Sequence, residues 1–128
     1  MNFMDEKDYI MRVIKEMVRV LFALLFGKKY TSVQQEHENK YEVAGHKLNE
    51  LLVMVDQGKI NEAENLLLDN IDYANKNDIA AAALFYQYLS ENEDDFLRQH
   101  DYSKEEILDG MKQLLKKSGY GDLTDIIE

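Results

Sequence analysis

Cysteine and proline are absent from this 128-residue chain, and glycine occurs only six times. Without cysteine the chain has no disulfide, no thiolate metal site and no cysteine nucleophile. Proline and glycine punctuate folds rich in strands and loops, so their scarcity favours helices joined by short connections. The length suits one domain with a hydrophobic core of its own. We therefore predict a single all-α domain over residues 1–128.

The sequence also lacks an export signal, because the N-terminal MNFMDEKDYI is acidic where a signal peptide is basic. We therefore expect a cytoplasmic protein. The formal net charge is −10, from 25 acidic and 15 basic residues. A protein that binds nucleic acid needs clustered lysine and arginine to displace counterions from phosphate. The basic residues here are scattered, so nucleic acid is not an expected partner.

The longest apolar run lies within residues 1–30, where we predict a hydrophobic N-terminal helix from Asp5 to Phe26 that ends at Gly27. No polar residue occurs from Val20 to Phe26, and a helix without a polar face is expected to be buried on every side. The run is too short to span a membrane, which takes about 20 apolar residues. Three interpretations stay open: a core helix, an anchor lying on a membrane surface, or a homodimer interface formed by Leu21, Phe22, Leu25 and Phe26.

Residues 32–119 are predicted to form a helical body built around a hairpin. A second helix is expected over residues 32–57, with Gly58 as the left-handed residue that ends it. A third helix begins near Ile60. The connection is so short that the two helices must fold back on each other. Ala63 lies one turn into the second arm, where a small side chain lets the two backbones approach closely.

A fourth helix is predicted after Asp78, which we expect to cap it. Its consecutive alanines, Ala80–Ala83, indicate close packing against neighbouring helices. The polar stretch at 91–101 is compatible with a short helix anchored by Phe96 and Leu97.

The fifth main helix is predicted to begin after Ser103, which forms a capping box with Glu106, and to end at Gly119. Residues 120–128 are predicted to be a tail containing one helical turn. The expected fold is thus all-α, with five main helices and a central hairpin.

The stretch QGKINEAENLLLDNI resembles the middle of a tetratricopeptide repeat. The residues that carry the resemblance are Leu51, Gly58, Ile60, Ala63 and Leu67. It covers one unit, residues 44–77, but lacks the closing proline, and no second copy is clear. Separately, DEKDYIMRVIKEMVRVLFALLFGKK resembles the start of a family of small uncharacterised proteins from Gram-positive gut bacteria. That resemblance implies an all-helical fold with a repeat-like hairpin, and no activity.

Candidate metal ligands occur at four-residue steps in the predicted second helix, at Glu38, Glu42, His46 and Glu50. Helical di-metal sites need a glutamate and a histidine three residues apart on each of two paired helices, which is not seen here. We therefore interpret this set as a solvated acidic stripe and predict no metal and no cofactor.

Catalytic patterns find little support. The serines lie at predicted helix boundaries, where capping explains them, and no glycine-rich phosphate loop is present. Tyr86 and Tyr88 fit half-buried rings with hydroxyls at the surface, although tyrosines also line peptide grooves. The sequence therefore favours a non-enzymatic protein–protein interaction module, tetratricopeptide-like and homodimeric. The alternatives are a peripheral membrane or regulatory protein that uses its first helix, or a domain that binds a peptide or a small molecule.

Overall fold

The computed structural model of the chain describes residues 6–27, 41–43 and 45–127. Most of these residues are helical, which confirms the mainly helical prediction. The helices are α1 (Glu6–Phe26), α2 (Leu48–Asp56), α3 (Ile60–Asp69), α4 (Lys76–Ser90), α5 (Asp94–Gln99), α6 (Lys104–Lys117) and α7 (Asp122–Ile127). Two short strands, β1 (Glu42–Val43) and β2 (His46–Lys47), pair antiparallel just before α2.

Helix α4 is the centre of the core. Its side chains are buried without interruption from Ile79 to Gln87, so this stretch of the helix has no exposed face. It contacts α1, α2, α6 and β1. The alanine run Ala80–Ala83 is fully buried, and these small side chains allow the surrounding helices to approach. The close packing predicted from the alanines is confirmed.

Helix α1 buries only one side. It packs against α4, α6 and α7, and Ile14, Met17 and Leu21 lie in the core. Leu24, by contrast, is 55% exposed. The prediction that the end of α1 is buried on every side is therefore wrong, because α1 lies at the edge of the bundle whereas α4 is enclosed by it.

Helices α2 and α3 form the predicted hairpin. They contact each other and are joined by residues 57–59. Gly58 has a positive φ of 84°, as expected of the left-handed residue that ends a helix. The space above it is also occupied, because an ideal Cβ on Gly58 would lie 2.3 Å from Cε1 of His100. Both the left-handed backbone and the histidine ring therefore require glycine at this position.

The continuous second helix predicted over residues 32–57 is wrong for its middle part. Glu42–Val43 and His46–Lys47 instead form strands β1 and β2, in which Glu42 pairs with Lys47 and Val43 with His46. Gly45, in the turn between the strands, has a φ of 81°, which a helix does not accommodate. Residues 32–40 and 44 of this predicted helix lie outside the described residues.

Of the two helix-capping predictions, the one for Asp78 is wrong and the one for Ser103 is confirmed. Asp78 does not cap α4, because the helix begins at Lys76 and the Asn75 side chain accepts hydrogen bonds from the backbone N–H groups of residues 77 and 78. The Asp78 carboxylate instead accepts from the N–H of Asp72 at 2.9 Å. Ser103 caps α6 as predicted, accepting from the N–H of Glu106 at 3.1 Å.

Lys104 provides a hydrogen-bond donor at the C-terminal end of α4. This lysine is buried, and its ammonium donates a hydrogen bond to the carbonyl oxygen of Ser90, the last residue of α4. A cation at the negative end of a buried helix is stabilising, because it supplies a donor to a carbonyl that the helix leaves unpaired. The short helix α5 and the tail helix α7 are both present, and Leu123 anchors the tail in the core.

Candidate functional site

A pocket of about 270 Å³ lies between helices α3 and α6. We call it the tyrosine pocket, after the three tyrosines that line it, Tyr73, Tyr86 and Tyr102. Helix α3 contributes Glu64 and Leu68 to its wall. The remaining lining residues come from α6, and they are Glu106, Asp109, Gly110, Gln113, Leu114 and Lys117.

The α6 wall follows from helical periodicity. Glu106, Asp109, Gln113 and Lys117 recur at steps of three and four residues, which places them along one face of a helix. The opposite face carries Ile107, Met111 and other core side chains. Packing of that apolar face therefore turns the polar residues of α6 towards the pocket and the solvent.

Tyr86 connects the core to the pocket. It extends from the central helix α4, is only 1% exposed, and donates a hydrogen bond from its hydroxyl to Oε2 of Glu64 at 2.7 Å. Its ring lies against Gly110 in the middle of α6, where an ideal Cβ would come within 2.6 Å of Cε1 of Tyr86. Glycine is unfavourable inside a helix, so its presence here is explained by the tyrosine ring that occupies the side-chain space.

Tyr102 approaches the same carboxylate. Its pKa is raised above the usual value, first by burial, and then by the negative charge of Glu64 and a hydrogen bond to it. The nearby charges of Glu106 and Asp109 raise it further. The pKa of Tyr86 is raised in the same way, by burial first and by Glu64 second. Both phenols therefore keep their protons at neutral pH and act as donors towards Glu64.

The pocket lining also includes a cation. The ammonium of Lys117 lies over the ring of Tyr73, 5.6 Å from the ring centroid, which is within the range of a cation–π contact. The pocket thus combines three carboxylates, three aromatic rings and one ammonium group. The described lining residues include no serine, cysteine or histidine. A carboxylate fixed by protonated phenols is suited to binding a hydrogen-bond donor rather than to supplying a nucleophile.

The residues predicted for a dimer interface lie elsewhere, at the end of α1. Leu21, Phe22 and Leu25 are buried in the core of their own chain, and Phe26 packs partly buried against that core. The apolar surface from which the interface was inferred is therefore already covered within one chain. Leu24 is the large apolar side chain that this end of α1 leaves exposed. Dimer formation itself stays a prediction.

The five residues of the repeat-like motif contribute to the packing and the turn of the α2–α3 hairpin. Leu51, Ile60, Ala63 and Leu67 are buried in the core, and Gly58 forms the turn between α2 and α3. They shape the hairpin, and the next turn of α3 then presents Glu64 and Leu68 to the tyrosine pocket.

The acidic stripe of the sequence does not exist as one helix face. Glu42 and His46 lie in strands β1 and β2, and Glu50 lies in α2, where its carboxylate accepts from the N–H of Lys47 at 3.4 Å. Glu38 lies outside the described residues. Across the described part of the chain, no group of three or more histidine, aspartate or glutamate side chains is arranged to hold a metal ion.

The tyrosine pocket was missed by sequence reasoning, except that Tyr86 was noted as a possible groove residue. Tyr88, the other tyrosine noted, donates to Oδ1 of Asp56 at 2.7 Å and ties α4 to the end of α2. Gly110 was the available signal, since a lone glycine inside a strongly amphipathic helix indicates a close approach by another group.

No described helix is both long and apolar enough to cross a membrane. The model of a family of unknown function (DUF6483) matches residues 4–119 of the chain. No curated protein and no solved structure matches it.

Proposed function

The chain belongs to the family of unknown function DUF6483, and we propose that it is a non-enzymatic interaction module that binds a segment of a partner protein in the groove between α3 and α6. The tyrosine pocket is the observation that carries this proposal. It combines a partly apolar wall at Leu68 with tyrosine rings and a few polar groups, a composition typical of recognition sites.

The tetratricopeptide-like interpretation of the α2–α3 hairpin is part of the same proposal. A single repeat unit does not bury its hydrophobic face alone. Helix α2 contacts α4, so α4 takes the place that a neighbouring repeat has in an array. The burial of Ala63 at the hairpin and the left-handed Gly58 support this interpretation. A cytoplasmic location, which fits the absence of cysteine, also belongs to the proposal.

A matched pair of surface variants tests whether the groove is the binding surface. Leu68, in the pocket wall, is 40% exposed, and Val53, on α2 and outside the pocket lining, is 45% exposed. Peptides are first selected from a random library for binding to the wild-type protein. Their dissociation constants are then measured for Leu68→Asn and Val53→Asn by fluorescence anisotropy.

We expect Leu68→Asn to weaken binding about three- to tenfold, because part of an apolar contact is lost. Val53→Asn is expected to leave binding unchanged. Peptides that bind both variants as tightly as the wild type would show that the groove is not the binding surface.

Self-association is a second candidate function, and the exposure of Leu24 favours it. Leu24 extends from the apolar end of α1, next to the exposed Ala23. A second copy of the chain would cover this apolar patch in a symmetric contact. Membrane attachment through α1 has less support, because Leu21, Phe22 and Leu25 are in the core rather than available for insertion.

A further inference from the structure

The charges of the tyrosine pocket are unequal. Glu64, Glu106 and Asp109 line it with carboxylates, whereas Lys117 is the one basic residue among its described lining residues. Glu64, a residue of α3, accepts a hydrogen bond from the phenol of Tyr86. A carboxylate has more acceptor positions than the hydroxyls of Tyr86 and Tyr102 fill. An incoming group that donates hydrogen bonds and carries positive charge therefore finds unused acceptors in the pocket.

The aromatic rings favour the same type of group. An ammonium or guanidinium is attracted to the face of a tyrosine ring, and the contact is stronger where water is excluded. The chain's own Lys117 already makes such a contact with Tyr73. The intramolecular ammonium shows that the geometry of the Tyr73 side accepts a cation.

We propose that the tyrosine pocket receives a lysine or arginine side chain from a basic segment of a partner protein, with its cationic end between the carboxylates and the tyrosine rings. This inference rests on the proposed function, since it names the chemistry that the α3–α6 groove recognises. Charge complementarity selects the occupant. The whole chain carries a net charge of −10, so a basic segment is attracted to the pocket while an acidic segment is repelled from it.

Lys117 has a distinct role in this arrangement as a built-in competitor. Its ammonium lies over the face of the Tyr73 ring and reduces the negative potential of the pocket. A cationic ligand must displace the Lys117 ammonium or bind beside it, whereas an anionic ligand would form an ion pair with it. Removing the charge of Lys117 therefore changes affinity in opposite directions for the two kinds of ligand.

The experiment uses four single-residue probes, N-acetyl-arginine amide, N-acetyl-lysine amide, N-acetyl-norleucine amide and N-acetyl-glutamate amide. Each is titrated into the full-length protein, and the chemical shifts of the amide and tyrosine ring signals around the pocket are followed by NMR. We expect the arginine and lysine probes to shift these signals at lower concentration than norleucine does, and glutamate to have no effect.

Variants then test the charge directly. Lys117→Met is expected to raise the affinity for the arginine probe about two- to fivefold, the size of one partly exposed cation–π or charge contact. Asp109→Asn is expected to lower it by a similar factor. Lys116→Met is the matched control, because Lys116 is an exposed neighbour in α6 that does not line the pocket. It removes the same charge and should have a smaller effect than Lys117→Met.

Three results would overturn the inference. Equal affinity for the arginine and norleucine probes would show that the pocket does not distinguish a cationic side chain from an apolar one. Binding of the glutamate probe that Lys117→Met weakens would show that it takes an anion instead. In either case the groove can still bind selected peptides in the Leu68 and Val53 comparison, so the proposed function is tested separately. Spermidine is titrated in parallel, and affinity far above that of arginine would assign the pocket to a free polyamine rather than to a protein segment.

Discussion

The ring of Tyr86 lies where a side chain on Gly110 would begin. An ideal Cβ on Gly110 would be 2.6 Å from Cε1 and 2.9 Å from the hydroxyl oxygen of Tyr86. This contact joins the central helix α4 to α6 and holds the phenol that donates to Glu64. The packing of the core and the shape of the pocket therefore depend on the same pair of residues.

Gly110→Ala tests this relationship. In an ordinary helix interior the change is stabilising by about 0.5–1 kcal/mol. Here we expect it to destabilise the protein by about 1–3 kcal/mol, because the added methyl group overpacks against the ring. The measurement is urea unfolding, with Gln113→Ala on the exposed side of α6 as the control that changes little. A gain in stability for Gly110→Ala would contradict the contact, and combining it with Tyr86→Leu should recover part of the loss.

The Gly58 turn offers a comparison between two left-handed glycines. Gly58 and Gly27 both have positive φ, at 84° and 69°. A Cβ on Gly27 would meet no atom of the described residues within 4 Å, whereas one on Gly58 would meet the His100 ring. We expect Gly27→Ala to cost about 1 kcal/mol from backbone strain alone, and Gly58→Ala to cost distinctly more. Equal losses in thermal or urea unfolding would show that His100 does not restrict the turn.

Ala63→Leu tests the packing of the hairpin. Ala63 is fully buried in α3, which contacts α2. A leucine there is expected to force the helices apart and to lower the free energy of unfolding by about 1–3 kcal/mol. Asn65→Leu, an exposed position in the same helix, is the control. An unchanged unfolding midpoint for Ala63→Leu would place Ala63 away from any close contact.

Stability is expected to fall in alkaline solution. Burial raises the pKa of Tyr102 and of Tyr86, and it raises the pKa of Tyr88 to about 12. A raised pKa in the folded state means that folding favours the neutral phenol. That contribution is complete below the unfolded-state pKa of about 10 and is lost as the pH rises above it.

The measurement is the free energy of unfolding between pH 8 and pH 11.5. Tyr102→Phe should show a shallower decline above pH 10 than the wild type. Tyr9→Phe should keep the wild-type slope, because Tyr9 is an exposed residue of α1. A decline of the same steepness in all three proteins would show that the Tyr102 hydroxyl is not buried beside the carboxylates.

Self-association is tested at the end of α1. We expect light scattering to detect a dimer at micromolar concentration that Leu24→Glu converts to a monomer with an unchanged unfolding midpoint. Phe22→Glu is expected to unfold the chain instead, since Phe22 is fully buried in the core and has an edge-on ring contact with Phe26. A wild-type monomer at all concentrations would remove the second candidate function.

Much of the fold could be predicted because its signals are local. Gly58 marks a helix end, Ser103 with Glu106 marks a helix start, and Ala80–Ala83 marks close packing. Each signal acts within a few residues of chain. The β1–β2 hairpin is not predictable in this way, because the apolar spacing around it also fits a helix and a single glycine, Gly45, is the local sign of its turn.

The centre of the fold and the candidate site could not be predicted in the same way. Helix α4 is enclosed by partners from both halves of the chain, which periodicity within α4 does not reveal. The tyrosine pocket brings together Glu64, Tyr86 and Lys117 from three helices. Only the packing of those helices determines that the three side chains meet.

The enclosure of α4 also sets the order in which the chain can become stable. A ribosome delivers α1 and α2 before α4, but α6 only afterwards. Until residue 117 has been made, the side of α4 that belongs against α6 has no partner, and Lys104 is not yet in place at the carbonyl of Ser90. Apolar surface exposed in this way is what chaperones bind on incomplete domains. A nascent chain that ends before α6 therefore exposes apolar surface of the alanine-rich helix α4 that the complete protein buries.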